Sequence, residues 1–285
     1  MDWQTYIKNH ISFISPLWGE AEAISVLKKV AEHIIQLPYA QIREEILSEQ
    51  NLITANAFLN DLKEGKPLQY ILEEAWFYKY PFKVNDSVLI PRPETEELVE
   101  WALKDIYTLK SEKNHLKILD IGTGSGCIPI SLKKQRPQDI ITSIDISEAA
   151  IQTARQNAAQ HNTDIEFCLV NFLDETSWER FEKFDIIISN PPYIPIHQKE
   201  KIPLHVREYE PAGALFVPNE SPLLFYEKIA HFGKQYLEEE GNIFVELHQD
   251  FAEETKKIFE EYGYTNVIIR KDISGNERML NARFY

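Results

Sequence analysis

The chain has 285 residues, 44% of them hydrophobic, and a formal net charge of −15. That length supports more than one hydrophobic core; no apolar run is long enough to cross a membrane, and the start MDWQTYIKNH lacks the charged-then-apolar layout of a secretory signal, so a cytoplasmic protein is expected. The acidic balance argues against a broad phosphate-tracking surface, because nucleic-acid binders gain most of their affinity from Lys and Arg. A protein or small-molecule substrate is therefore expected, with no direct nucleic-acid substrate and no membrane partner.

From residue 3 to about residue 72 the pattern is helical. Ile24, Leu27, Ala31, Ile34 and Ile35 recur at helix spacing, Ile42, Ile46 and Leu47 continue it after Pro38, and a third helix is expected over residues 54–63, stopped by Gly65-Lys66-Pro67. With few glycines and no strand signature, residues 1–73 read as a separate helical bundle. Residues 76–90, WFYKYPFKVNDSVLI, switch to aromatic and β-branched types with Asn85-Asp86 between two runs, which predicts a β-hairpin linker over residues 74–91. The following PRPETE stiffens the chain and starts a helix that runs to about Leu109, with Thr95 or a neighbour as its cap. Arg92 and Glu94 in this stiff loop are candidates to border a substrate channel, or else form an ordinary surface ion pair.

From residue 117 onward strands and helices alternate. Strands are expected at 117–121, 140–144, 165–170, 184–189, 242–247, 267–270 and 278–284, with helices at 147–161, 222–237 and 251–262. Such alternation implies an α/β fold with a mostly parallel sheet covered on both faces. The two cysteines, Cys127 and Cys168, fall in expected core elements without a metal-type cluster, so both read as buried reduced thiols and no metal is expected.

Two motifs carry chemistry. LDIGTGSGCIPISL at 119–132 is a strand, a turn allowed by Gly122, Gly124 and Gly126, and a helix from about Ser125. Its spacing is GxGxG, and Cys127 stands where the third glycine of a dinucleotide fingerprint would fall. Roughly twenty residues on, a second strand ends in Asp145, an acid placed to accept both hydroxyls of a ribose. Together these suit an adenosine without a pyrophosphate, S-adenosyl-L-methionine above all; a nicotinamide cofactor is the alternative. The second motif is SNPPYIP at 189–195, where the buried run FDIIIS ends. Ligands of open α/β sheets bind at the carboxyl ends of strands. Two prolines stiffen the turn, so that the Asn190 side chain, the Pro191 carbonyl and the Tyr193 ring are held beside one another, facing a flat NH2-bearing group. An ordinary strand-to-loop exit is the alternative, since Asn-Pro commonly starts a turn.

The chain resembles the glutamine-N5 methyltransferases of peptide chain release factors, the HemK/PrmC family, over nearly its whole length. The carrying motifs are LIPRPETEELV at 89–99, LDIGTGSG at 119–126, SNPPYIP at 189–195, VREYEPAGALF at 206–216 and GNERML at 275–280, the last two being the narrowest. The resemblance implies a Rossmann-like, seven-stranded class I methyltransferase sheet over residues 92–285 whose last strand is antiparallel. It also implies the helical bundle as a substrate-docking domain, a class I release factor as partner, and a monomer.

By the same resemblance, Gly122, Thr123, Gly124, Ser125 and Gly126 wrap the methionine part of S-adenosyl-L-methionine and Asp145 binds its ribose. Asn171 and Phe172 flank the adenine, and Asn190, Pro191, Pro192 and Tyr193 hold the glutamine amide, with Asn190, Pro191 and Tyr193 as catalytic residues. Asn171 and Phe172 stand where relatives often have Asp and Trp, and Lys79 replaces an expected glycine, which implies a different hairpin conformation. Glutamine methylation of a ribosomal protein and adenine-N6 methylation of DNA use similar amide or amine acceptors and are the alternative activities.

Overall fold

The computed structural model describes residues 1–108 and 115–284. It falls into two compact units, Met1–Glu74 with Pro203–Tyr209, and Ala75–Ile202 with Glu210–Tyr285. The first is helical: α1 (Trp3–Trp18), α2 (Glu20–Ile35), α3 (Tyr39–Ile42), α4 (Glu49–Lys63) and α5 (Leu68–Leu72), joined by the later helical turn Leu204–Arg207, which is α9 in chain order. Trp3, Tyr6, Ile14, Leu27, Ile42 and Leu62 are among the side chains that form its core. The segment Pro203–Tyr209 is held in it by Trp18, which stacks on His205 at 5.5 Å, and by the Tyr209 hydroxyl, which donates to the Glu64 carbonyl at 2.9 Å.

Two sequence expectations fail here. Helix α4 starts five residues early, at Glu49, because the Ser48 hydroxyl accepts the Asn51 N–H and caps it. Ile46 does not continue a helix; it pairs with Asp2 in an isolated bridge and is 75% exposed.

In the second unit, β1 (Glu74–Phe77) and β2 (Tyr80–Lys83) form a two-stranded sheet. The turn between them is Tyr78-Lys79, both with left-handed φ (48° and 74°), so Lys79 itself adopts the backbone that glycine would supply. Asn85-Asp86 is not the hairpin turn: Asn85 Oδ1 accepts the Ser87 N–H at 3.0 Å in a local turn of its own. Next come α6 (Pro93–Thr108), β3 (Lys117–Ile121), α7 (Cys127–Gln135), β4 (Ile140–Asp145), α8 (Glu148–Gln160), β5 (Glu166–Leu169), β6 (Phe184–Ser189) and β7 (Ile194–Pro195). They are followed by α10 (Ala212–Leu215), β8 (Phe216–Val217), α11 (Leu224–Tyr236), β9 (Leu237–Glu246), α12 (Ala252–Glu261), β10 (Asn266–Lys271) and β11 (Glu277–Arg283). The expected end of α6 at Leu109 lies outside the described residues. Thr95 is not its cap. It is the third helical residue, its N–H donating to the Arg92 carbonyl, which leaves the hydroxyl free to turn elsewhere.

Seven strands form one sheet in the order β10-β11-β9-β6-β3-β4-β5, with β11 antiparallel to both neighbours and the β9-β6-β3-β4-β5 pairs parallel. Alternation along each strand feeds two cores. Ile118, Ile186, Ile188, Phe244 and Met279 point into one, and Leu119, Ile121, Ile187, Val245 and Leu280 into the other. Fully burying each such side chain stabilises the fold by about 1.5–3 kcal/mol. Of the two thiols, Cys127 is buried, whereas Cys168 on the outer strand β5 is only half-buried, against expectation. The chain runs from β3 outward to β4 and β5, then returns to place β6 on the other side of β3. That reversal is the topological switch point, where a crevice opens at the strands' carboxyl ends.

Candidate active site

Both chemical motifs sit at this switch point. Ile121 and Ser189 end their strands side by side, and the Ser189 hydroxyl donates to the Ile121 carbonyl at 2.7 Å. The glycine turn is then tied to β4 by Gly122 and Thr123 N–H bonds to the Ile144 carbonyl. Gly122 has φ +82°, and a Cβ there would lie 3.9 Å from the Asn190 carbonyl oxygen, so the two loops nearly touch. A cavity of about 250 Å³ opens over them, with Val88, Leu89, Ile128, Ile146, Phe172 and Phe225 among its apolar walls.

Of the expected site residues, Arg92, Gly122, Thr123, Gly124, Ser125, Asp145, Asn171, Phe172, Asn190, Pro191 and Pro192 all line this one cavity. Gly126 does not; it starts α7 with φ +80°, packed so close to Ala154 that a Cβ would come within 3.1 Å. Glu94 and Tyr193 do not line it either.

At one end of the cavity Asp145 closes β4. Its Oδ2 accepts the Gly124 N–H at 3.0 Å and its Oδ1 the Ser147 N–H at 2.9 Å, so the carboxylate is immobilised while keeping lone pairs for a ligand. Burial raises its pKa, and these backbone donors act against that rise. Behind the turn lies Asp120, fully buried, accepting the Ser143 hydroxyl at 2.6 Å. Burial pushes its carboxyl up to about 7. Asp120 Oδ1, Thr123 Oγ1 and Ser125 Oγ are all buried without a hydrogen-bond partner. Thr123 and Ser125 line the cavity, so their hydroxyls are placed for polar ligand atoms, whereas Asp120 lies behind the turn with its carboxyl facing Thr123. Phe172 stacks on Trp178 at 5.5 Å, and Asn171 Oδ1 accepts the Leu173 N–H, shaping the loop after β5.

At the other end Asn190 Nδ2 donates to Thr95 Oγ1 at 3.0 Å, and the Thr95 hydroxyl donates to Glu246 Oε2 at 2.5 Å. Glu246 Oε1 accepts the Tyr193 hydroxyl at 2.9 Å. Glu246, 1% exposed at the end of β9, thus anchors both polar residues of the Asn-Pro-Pro-Tyr turn. Burial raises its pKa; Thr95, Tyr193 and the nearby Arg278 guanidinium pull it back. Burial also lifts the Tyr193 hydroxyl well above the usual range, with the Glu246 charge adding to the effect. Arg92 pairs with Glu210 at 2.6 Å, not with Glu94, and Glu210 also accepts the Ile90 N–H at 3.1 Å. Glu246 and Glu210 do not line the cavity; each holds from behind a residue that does. His248 serves structure: its Nδ1 accepts the Asp250 N–H and its Nε2 meets Gln198 Oε1. Thr95 is the site residue that sequence reading misses, because it looks like a helix cap.

Residues 106–209 match the Methyltransferase small domain family. A release factor glutamine methyltransferase of Flavobacterium psychrophilum is 41% identical over 99% of each chain. The chain belongs to the release factor glutamine methyltransferase family. Another member, from Bacteroides thetaiotaomicron, is 38% identical over 78% of this chain and 77% of its own. Among solved structures, a human methyltransferase 10 domain containing protein shares the fold at 19% identity, with a TM-score of 0.52 over 72% of this chain and 89% of its own.

Proposed function

We propose that this member of the family transfers the methyl group of S-adenosyl-L-methionine to the side-chain amide nitrogen, N5, of the glutamine in the Gly-Gly-Gln motif of class I peptide chain release factors. The observation that carries this reading is the Asn190 amide, which lines the cavity and gives one Nδ2–H to Thr95, an anchoring that leaves Oδ1 available as an acceptor for an N–H group. On this reading the enzyme works in the cytoplasm, where release factors act.

The residues present fit the cofactor. Asp145 has lone pairs left for two ribose hydroxyls. The Thr123 and Ser125 hydroxyls, beside a turn whose Gly124 has no heavy atom within 4 Å of its would-be Cβ, suit the charged amino-acid end. Ile146 and Phe172 offer apolar walls to the base. When bound, the sulfonium supplies an activated methyl group.

What this chain has to supply is mainly orientation, because an amide nitrogen is a poor nucleophile with its lone pair delocalised into the carbonyl. Asn190 Oδ1 and the Pro191 carbonyl each accept one amide hydrogen, which turns the nitrogen lone pair toward the methyl carbon and raises its electron density, and the methylated nitrogen, acidic while it carries the extra proton, sheds it to water. Pro191 and Pro192 keep both acceptors in register, and Tyr193, tethered to Glu246, braces the turn. Arg92, fixed by Glu210, lines the same cavity.

The test is mass spectrometry of tryptic release-factor peptides after incubation with labelled cofactor. One methyl group on the Gly-Gly-Gln peptide is expected. Label found only on a ribosomal-protein glutamine, or on adenine in DNA, would overturn the proposal.

A further inference from the structure

The two ends of an asparagine amide have nearly the same shape, so Asn190 could present either its oxygen or its NH2 to the cavity. Thr95 decides between them. Its one hydroxyl hydrogen goes to Glu246 Oε2, and an ionised carboxylate has no hydrogen to give back. The Thr95 oxygen is thereby left as an acceptor, and it takes the Asn190 Nδ2–H. Protonation of Glu246 reverses the relay: the carboxyl O–H donates to Thr95 Oγ1, the Thr95 hydrogen turns to Asn190, and the amide oxygen is drawn inward. The NH2 then faces the cavity, donor against donor.

We propose that Thr95 and Glu246 are positioning residues that set the flip of the Asn190 amide, presenting its oxygen to the substrate amide when the Glu246 carboxylate is ionised and withdrawing it when that carboxylate is protonated. The inference rests on the amide-clamp reading of Asn190 above. It draws on four parts of the chain that sequence separates widely. Thr95 comes from α6, Asn190 from the end of β6 and Glu246 from the end of β9, while Arg278 on β11 attracts the Glu246 charge. The groups facing Glu246 are the Thr95 and Tyr193 hydroxyls, the Arg278 guanidinium, the Glu94 carboxylate, which repels it, and the Tyr226 hydroxyl, which donates to its main-chain carbonyl. Burial outweighs the stabilising partners and raises the pKa of the carboxyl, so turnover falls with acidification.

The experiment compares wild type, Thr95→Val, Thr95→Ser, Glu246→Gln and Asn190→Ala, measuring kcat and KM on intact release factor from pH 5 to 9, with cofactor affinity by calorimetry. Thr95→Val keeps the side-chain shape but cannot accept from Asn190. Its kcat should fall at least about 10-fold while cofactor affinity stays within about threefold. Thr95→Ser restores the hydroxyl and should recover most of the rate. The acidic fall in kcat seen for wild type and Thr95→Ser should be absent from Thr95→Val. If Thr95→Val does not fold, Glu246→Gln carries the same test, since it removes the titrating group and should lose the acidic fall.

Wild-type kcat in Thr95→Val, a Thr95→Ser as slow as Thr95→Val, or an unchanged acidic fall in Glu246→Gln would each overturn the relay. Asn190→Ala separates this from the underlying reading: full activity there sinks the amide clamp itself, whereas an inactive Asn190→Ala beside a fully active Thr95→Val sinks only the relay.

Discussion

The two ends of the cavity are built in different ways. The Asp145 end is assembled from neighbours: the glycine turn follows β3, Asp145 ends the adjacent β4, and its two hydrogen bonds reach Gly124 and Ser147, 21 and 2 residues away. The Asn190 end is assembled from strangers, with Thr95 lying 95 residues from Asn190 and 151 from Glu246. Its donors are side chains rather than backbone N–H groups, so its geometry depends on which hydrogen points where. The lesson is that a site made by local backbone depends on its glycines and its one acid, while a side-chain relay depends on every link.

The sharpest break in that comparison is Asn190→Ala. Losing one of two preorganised acceptors should lower kcat at least ~100-fold while leaving cofactor affinity nearly unchanged. Comparable losses in both quantities would mean that the two ends are not separate. Asp145→Ala is the converse case: calorimetry should show S-adenosyl-L-methionine binding weakened by about 2 kcal/mol, as a charge-assisted contact is lost and ligand hydroxyls go unpaired. Unchanged affinity would remove Asp145 from the site.

Smaller still is Gly126→Ala, which forces a Cβ to within 3.1 Å of Ala154 and Ile130 at a left-handed φ. About 1–2 kcal/mol of unfolding free energy should be lost in denaturant titration. An unchanged midpoint would show that the turn adapts. The last test uses pH. Because the folded chain holds the Asp120 proton up to about pH 7, against an ordinary value of 3.8, Asp120 favours folding in acid and this contribution fades as pH rises from about 4 to 7. Asp120→Asn should therefore flatten the fall in stability over that window, by at most about 1.4 kcal/mol per pH unit. Identical slopes in the two proteins would contradict the shift.

Strand positions were legible because burial on both faces writes continuous apolar runs such as FDIIIS, and that run is β6 residue for residue. The hairpin turn was misread at Asn85-Asp86 because Tyr78-Lys79 carries no glycine or asparagine, and only the paired strands hold those residues at positive φ. The start of α4 was missed for a related reason, as the Ser48 cap is a single hydroxyl ahead of a weakly patterned stretch.

The site divides along the same line. Glycine spacing, the strand-ending Asp145 and the Asn-Pro-Pro-Tyr turn announce themselves in sequence because each is a local backbone device: a positive φ, a strand end, a missing N–H. Thr95, Glu246 and Arg278 carry no such mark, and their types fit a helix cap or a surface charge equally well. Only the tertiary fold, by ending β6 and β9 next to the first turn of α6, brings a buried carboxylate within hydrogen-bond reach of a threonine and so determines which face of Asn190 the cavity sees. A hydrogen bond needs both partners within about 3 Å, and a separation of 151 residues along the chain says nothing of that distance until the sheet is formed.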